Sequence, residues 1–151
     1  MNRYAAVLFD LFGTLVDDRG DAIAGARELL AAFDGKRFAI VTSAPRRLAR
    51  ALIERAELPE PPVLVCADDV EHGKPAPECY VLGARRLAVE PVRCLVIEDS
   101  EAGIAAAADA GMEVIAVRRG RGSDFARRAT RSIDRLGDLR LRGAPEGFEV
   151  L

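Results

Sequence analysis

An aspartate closes the first apolar run of the chain, Val7-Leu8-Phe9-Asp10, and Leu11-Phe12-Gly13-Thr14-Leu15 follows at once. A carboxylate at the carboxyl end of a buried parallel strand stands where open α/β sheets bind their ligands. The glycine after it permits a tight turn, which brings the N–H groups of Leu11, Phe12 and Gly13 toward an anion. Three more polar sets trail short apolar runs: Thr42-Ser43 after Val41, Lys74 between Gly73 and Pro75, and Glu98-Asp99 after Val96-Ile97. A nucleophilic carboxylate, a hydroxyl, an ammonium and paired acids together suit phosphoryl transfer through an aspartyl intermediate with a divalent cation.

Those groups must be carried by a sheet. Strands are predicted at residues 5–9, 37–41, 63–66, 94–97 and 113–117, each a short apolar run. Helical periodicity fills the gaps at 22–33, 45–56, 77–87 and 100–110. In the first helix Ile23, Ala26, Leu29, Leu30 and Phe33 share a face, and Asp34-Gly35 stops it. In the second, Leu48, Leu52 and Ile53 point inward; Gly111 ends the last. Alternating strands and helices predict an α/β fold, a doubly wound parallel sheet of about five strands, in one domain spanning 1–151. The segment from 118 onward is expected as a basic tail, helical over 123–131 and largely irregular beyond.

Composition narrows the classes. The chain of 151 residues is half hydrophobic and only 5% aromatic, so aliphatic side chains must build the core. A net charge of −2 favours no polyanion, although residues 118–142 hold nine arginines against three aspartates. Scattered surface arginines explain that stretch better than a nucleic-acid face. Twenty arginines stand beside two lysines, so Lys74 is a choice of chemistry rather than of charge; Lys36 reads as solvated surface. Cys66, Cys79 and Cys94 lack metal or redox spacing and fit reduced core thiols of a cytoplasmic protein. No secretory leader and no membrane-length apolar run is seen.

The four polar segments, in order and spacing, resemble the haloacid dehalogenase-like hydrolase superfamily, and closely its small sugar-phosphate phosphatase branch. That resemblance covers residues 4–117 and implies a Rossmannoid strand order 5-4-1-2-3 with Asp10 central. It implies Asp10 as nucleophile, Thr42 as phosphate donor with the Ser43 N–H beside it, and Lys74 between carboxylate and phosphate. Ser43 also suits the cap of the helix opened at Pro45, and Ser100 that of the helix after it. A Mg²⁺ ion would take Asp10, Asp99 and the Phe12 carbonyl, with Glu98 binding directly or one layer out. His72, the sole histidine, reads as a rim residue.

Two departures qualify the likeness. The family's phosphatases carry a second aspartate two residues after the nucleophile, the general acid for the leaving alkoxide, and Phe12 stands there. A helical cap usually follows the first motif, whereas here only Val16 to Asp21 precede the next helix. The expected function is therefore a capless, Mg²⁺-dependent phosphatase-type hydrolase weakened on alkyl esters. A non-catalytic phosphate- or partner-binding relative is the first alternative and a 2-haloacid dehalogenase, which needs no leaving-group acid, the second. Expected partners are a small phosphorylated substrate or a phosphorylated macromolecule, with a homo-oligomer covering the open site.

Overall fold

The computed structural model describes residues 3–33 and 37–151. Among them, the strands β1 (Arg3–Tyr4), β2 (Ala6–Phe9), β3 (Phe38–Val41) and β4 (Val63–Val65) precede β5 (Cys94–Glu98) and β6 (Glu113–Val117). The helices are α1 (Ala26–Ala31), α2 (Arg46–Arg55), α3 (Glu78–Leu87) and α4 (Glu101–Asp109). The tail adds β7 (Arg131–Ile133), β8 (Leu141–Ala144) and β9 (Gly147–Val150). The main sheet runs β4-β3-β2-β5-β6-β7, every pair parallel, so the order implied by the resemblance holds and β7 extends it to six strands.

Both faces of this sheet are covered, which explains its continuous apolar strands. Val7, Phe9, Ile40, Leu95 and Ile97 pack toward Leu30 of α1 and Ala49 and Ile53 of α2. Their neighbours Leu8, Val41, Val96 and Val114 pack toward Tyr80 and Ala84 of α3 and Ile104 of α4. The alternation is the period-two geometry of a strand expressed as two cores. Four of the six phenylalanines gather on the first face: Phe33 meets Phe9 edge-on at 5.6 Å and lies 4.4 Å from Phe148 of β9. Phe38 joins them, 5.6 Å from Phe33.

Several sequence expectations give way. The helix expected at 22–33 is shorter, Ala26–Ala31, because Ala22 bridges back to Val16, the Ile23 N–H donates to the Leu15 carbonyl, and Gly25 turns left-handed before the helix starts. The stop at Asp34-Gly35 and the surface role of Lys36 lie outside the described residues. Leu48 is 51% exposed; Ala49 and Ile53, one helical turn apart, take the inward face. Ser43 does not cap α2. Pro45 occupies that position, and Asp68 Oδ1 accepts from the Arg46 N–H at 2.6 Å.

The tail differs most. No α-helix forms over 123–131; a short 3-10 turn at Asp124–Ala126 leads into β7. β8 and β9 form a hairpin, and β9 pairs antiparallel with β1 in a second sheet, Tyr4 opposite Phe148. Glu149, buried in that sheet, accepts from Arg3 and Arg142 at 2.8 and 2.5 Å. Cys66, Cys79 and Cys94 are buried free thiols, and burial pushes the Cys94 thiol up to about 11. Among the described residues no helix is long and apolar enough to cross a membrane.

Candidate active site

The carboxyl ends of β2, β3 and β5 meet at one edge. The ladder runs one residue past each of the first two strands: the Asp10 N–H donates to the Ile97 carbonyl at 3.1 Å, and the Thr42 N–H to the Val65 carbonyl at 2.9 Å. Asp10 and Thr42 therefore have backbones fixed by sheet geometry rather than by a loop. Lys74 arrives from the connection between β4 and α3, its side chain only 6% exposed. Its ammonium donates to Asp10 Oδ1 at 2.9 Å, Glu98 Oε2 at 2.8 Å and the Val41 carbonyl at 3.1 Å. Three donors meet three acceptors, so the ammonium is fully used.

Glu98 and Asp99 are neighbours with different surroundings. Glu98 has no solvent exposure. Its Oε2 accepts from Lys74 and from the Tyr80 hydroxyl at 2.7 Å; its Oε1 accepts from the Asp99 N–H at 3.0 Å and the Ser100 N–H at 3.3 Å. The Ser100 hydroxyl also reaches Oε1 at 3.2 Å, while accepting from the Gly103 N–H as the cap of α4. A Cβ on Gly103 would stand 1.9 Å from Glu98 Oε2, so this helix turn must be glycine for the carboxylate to lie there. Asp99 has fewer protein partners. Thr14 Oγ1 lies 3.2 Å from Asp99 Oδ1 and 3.2 Å from Asp10 Oδ2, and Arg119 Nη1 lies 3.6 Å from Asp99 Oδ2.

These contacts shift the acids. Burial raises the Asp10 carboxyl above its ordinary value, against the pull of Lys74. Burial raises Glu98 as well, helped by the negative charge of Asp10. Burial alone would lower the Lys74 ammonium, but Asp10 and Glu98 outweigh it and hold the proton firmly. Burial and Glu98 keep the Tyr80 phenol a donor.

One oxygen from each of Asp10, Glu98 and Asp99 lies within 4.8 Å of the others. Gly13, at φ +90°, passes so close to the acids that a Cβ there would stand 2.3 Å from Asp99 Oδ2. Hard carboxylate oxygens in a cradle kept clear by glycine fit Mg²⁺. Of the oxygens, those of Glu98 already serve protein donors, so the free capacity lies on Asp10 and Asp99.

The N–H nest needs correction. The Gly13 N–H donates to the Val16 carbonyl at 2.8 Å, because the chain doubles back immediately in place of a cap, so this group does not serve an anion. Phe12 is 53% exposed at the mouth. Ser43 is exposed beside Thr42, whose hydroxyl accepts from the Ala44 N–H at 3.2 Å. Thr42, Ser43, Gly73, Lys74 and Cys79 line a cavity of about 230 Å³ next to the carboxylates. His72 is exposed and does not line it; its backbone N–H donates to Glu78 Oε2 at 3.2 Å. Thr14 and Tyr80 are functional candidates that the sequence does not predict, and Arg119 and Arg121, expected among scattered surface arginines, lie against Asp99 instead. Of these only Tyr80 carried a signal: a phenol on an apolar helix face must find a buried acceptor.

A sequence model described as haloacid dehalogenase-like hydrolase matches residues 18–111. The chain belongs to the haloacid dehalogenase-like hydrolase family. Among its relatives is Hexitol phosphatase A of Escherichia coli K12, 45% identical over 98 residues, which are 64% of this chain and 45% of that protein. Fructose-1-phosphate phosphatase YqaB, also of E. coli K12, is 38% identical over 93 residues, 60% of this chain and 50% of that one. The chain thus spans about half the length of the curated relatives it matches. Among solved structures, a HAD family hydrolase from Deinococcus radiodurans R1, with bound phosphate and sodium, superposes at TM-score 0.80. It is 24% identical, with 90% of this chain and 93% of that one covered. A putative beta-phosphoglucomutase from Thermotoga maritima superposes at 0.79 and 23% identity, with 87% and 94% covered. At these identities the superpositions carry the fold.

Proposed function

We propose that this protein is a Mg²⁺-dependent phosphohydrolase that works through an aspartyl-phosphate on Asp10. The observation that carries the reading is the position of Lys74, whose ammonium bridges Asp10 and Glu98 at 2.9 and 2.8 Å beside a second acid, Asp99. Asp10 Oδ2 attacks phosphorus, an acyl-phosphate bond forms, and the ester oxygen leaves with the bonding pair. Lys74 offsets the repulsion between the Asp10 carboxylate and the incoming phosphate, and Thr42 donates its hydroxyl to a phosphate oxygen. Glu98 keeps the ammonium in place. Water then attacks phosphorus, the acyl-phosphate bond breaks, inorganic phosphate leaves with the water's oxygen and protons, and Asp10 returns as a carboxylate. Asp10, Asp99 and the Phe12 carbonyl would hold Mg²⁺, with Glu98 one layer out; the ion would supply charge stabilisation for the phosphoryl oxygens.

Relatives named for sugar-phosphate hydrolysis favour a small phosphorylated carbohydrate as substrate. The open mouth leaves room for a phosphorylated macromolecule, or for a second copy of the chain to cover the site. Phe12 can neither protonate an alkoxide nor activate water, so alkyl esters turn over slowly and aryl esters faster. The same residue favours the second reading, a relative that binds phosphate without turnover. The acid cluster, which a halide-releasing site does not need, disfavours dehalogenation.

The test is phosphate release from p-nitrophenyl phosphate, with Mg²⁺ and with a chelator, by the wild type and Asp10→Asn. Mg²⁺-dependent release that falls at least about 10⁴-fold in Asp10→Asn is expected. A wild type that binds Mg²⁺ and phosphate yet releases none would establish the non-catalytic reading.

A further inference from the structure

The arginine-rich turn after β6 lies against the acid cluster, and its two charged side chains there behave differently. The turn is fixed by the tail: the N–H groups of Arg118 and Arg119 donate to the carbonyls of Ile133 and Asp134, both at 2.8 Å, and the Gly120 N–H donates to Asp134 Oδ1 at 2.9 Å. Arg119 sits in the left-handed region at φ 55°, which only such anchoring makes tolerable for a side chain of its size. Its guanidinium faces the Asp99 carboxylate at 3.6 Å while remaining half exposed. Arg121 points to the backbone instead. Its Nη2 donates to the Asp99 carbonyl at 2.7 Å and the Val117 carbonyl at 3.1 Å, its Nε to the Arg118 carbonyl at 2.7 Å, and its plane lies 4.1 Å from the Phe125 ring centre.

We infer that this turn is a working part of the metal centre: Arg121 is a positioning residue that pins Asp99, and Arg119 is a resident counter-cation that the metal displaces electrostatically. The inference rests on the Mg²⁺ reading proposed above. Arg121 ties the carboxyl ends of β5 and β6 through three carbonyls in one planar fork. It thereby sets the backbone from which the Asp99 carboxylate reaches toward Asp10. A lysine, with a single point of charge, cannot reproduce those bonds. Arg119 has the opposite effect on metal binding. It lowers the potential of a carboxylate that otherwise faces Asp10 with little compensation, and the same charge repels an incoming divalent ion.

The two residues therefore have effects of opposite sign, which bulk electrostatics does not predict. Removing positive charge near a cation site should tighten binding wherever it is done. Here Arg119→Gln should bind Mg²⁺ roughly threefold to tenfold more tightly at low ionic strength, with the gain shrinking as salt screens the half-exposed charge. Arg121→Lys, which keeps the charge, should bind it about tenfold more weakly, the size of effect seen when the partner that orients a metal ligand is removed.

The experiment is calorimetric titration of Mg²⁺ into wild type, Arg119→Gln, Arg121→Lys and Asp99→Asn, with circular dichroism of each metal-free protein. Tighter binding in Arg119→Gln and weaker binding in a folded Arg121→Lys would support the inference. Wild-type affinity in Arg121→Lys would overturn the positioning role, and unchanged or weaker binding in Arg119→Gln the counter-cation role. Should Arg121→Lys fail to fold, the exposed Arg119→Gln arm still decides its own sign. A wild type without Mg²⁺ binding, or equal to Asp99→Asn, would overturn the metal centre itself and this inference with it.

Discussion

The two halves of the candidate site contrast sharply. On the α3 side, Lys74, Glu98 and Tyr80 form a closed set: each donor has its acceptor, and Glu98 is wholly buried. On the other side, Asp99 meets one hydroxyl and a distant guanidinium, and Phe12 stands half exposed where a proton donor would act. The closed half is built to hold an ammonium in one place. The open half has carboxylate oxygens with few protein partners, the capacity that the proposed cation would use. Adjacent acids, Glu98 and Asp99, thus divide into one whose oxygens are taken by protein donors and one whose oxygens have few such partners.

The largest expected change comes from the open half. Phe12→Asp should raise turnover of alkyl phosphate esters by up to about 10²–10⁴-fold and of aryl esters much less, because aryl leaving groups are already stable as anions. Steady-state rates on one ester of each kind decide it. An equal gain on both would mean that the aspartate acts by metal affinity and not as an acid.

Next in size is the stability of the two acids. Glu98→Gln leaves Lys74 with a weaker partner and asks an amide to satisfy five donors, some of which it must face with its own NH₂. A loss of roughly 3–5 kcal/mol is expected, as for a broken buried ion pair. Asp99→Asn should change metal-free stability by under about 1 kcal/mol while abolishing any rise in melting temperature with Mg²⁺. Urea unfolding of both variants reads the contrast directly; equal losses would erase the division between the halves.

The smallest effect is on pH. Asp10 and Glu98 titrate above their ordinary values of 3.8 and 4.5, so the folded chain binds those protons more tightly than the unfolded one. Stability then falls as pH rises from those values through the raised ones. The depressed carboxyls, such as Asp69, act the other way but only as pH falls below about 4. With a chelator present, the melting temperature should fall as pH rises through the raised values of Asp10 and Glu98. A melting temperature that nowhere falls as pH rises above about 4 would contradict the raised values.

Much of this was readable from the chain because the main sheet is buried on both faces. Val7-Leu8-Phe9 and Val96-Ile97 announce strands by unbroken apolarity, and a polar residue at the end of each marks the edge where ligands bind. The tail offered no such signal. Arg131-Ser132-Ile133 is a strand only because the Thr130 and Arg118 N–H groups find partners across β6 and β7, and β8 is half arginine and glycine. Thr14 and Arg121 were equally hidden, since their partners lie 85 and 22 residues away. Ser43 failed as a cap for the same reason: Asp68, distant in sequence, was better placed.

The pairing of β1 with β9 has a further meaning when the protein is being made. Tyr4 and Phe148 face one another in register, so the first of these two strands leaves the ribosome well before the second. At ordinary synthesis rates the interval is roughly 7–30 s, far longer than helices or hairpins need to form. The parallel sheet can assemble around β2 in that time, but the phenylalanine cluster lacks Phe148 until β9 emerges. The second sheet therefore acts as a clasp, closed only after the edge that carries Asp10, Thr42 and Asp99 has been laid down.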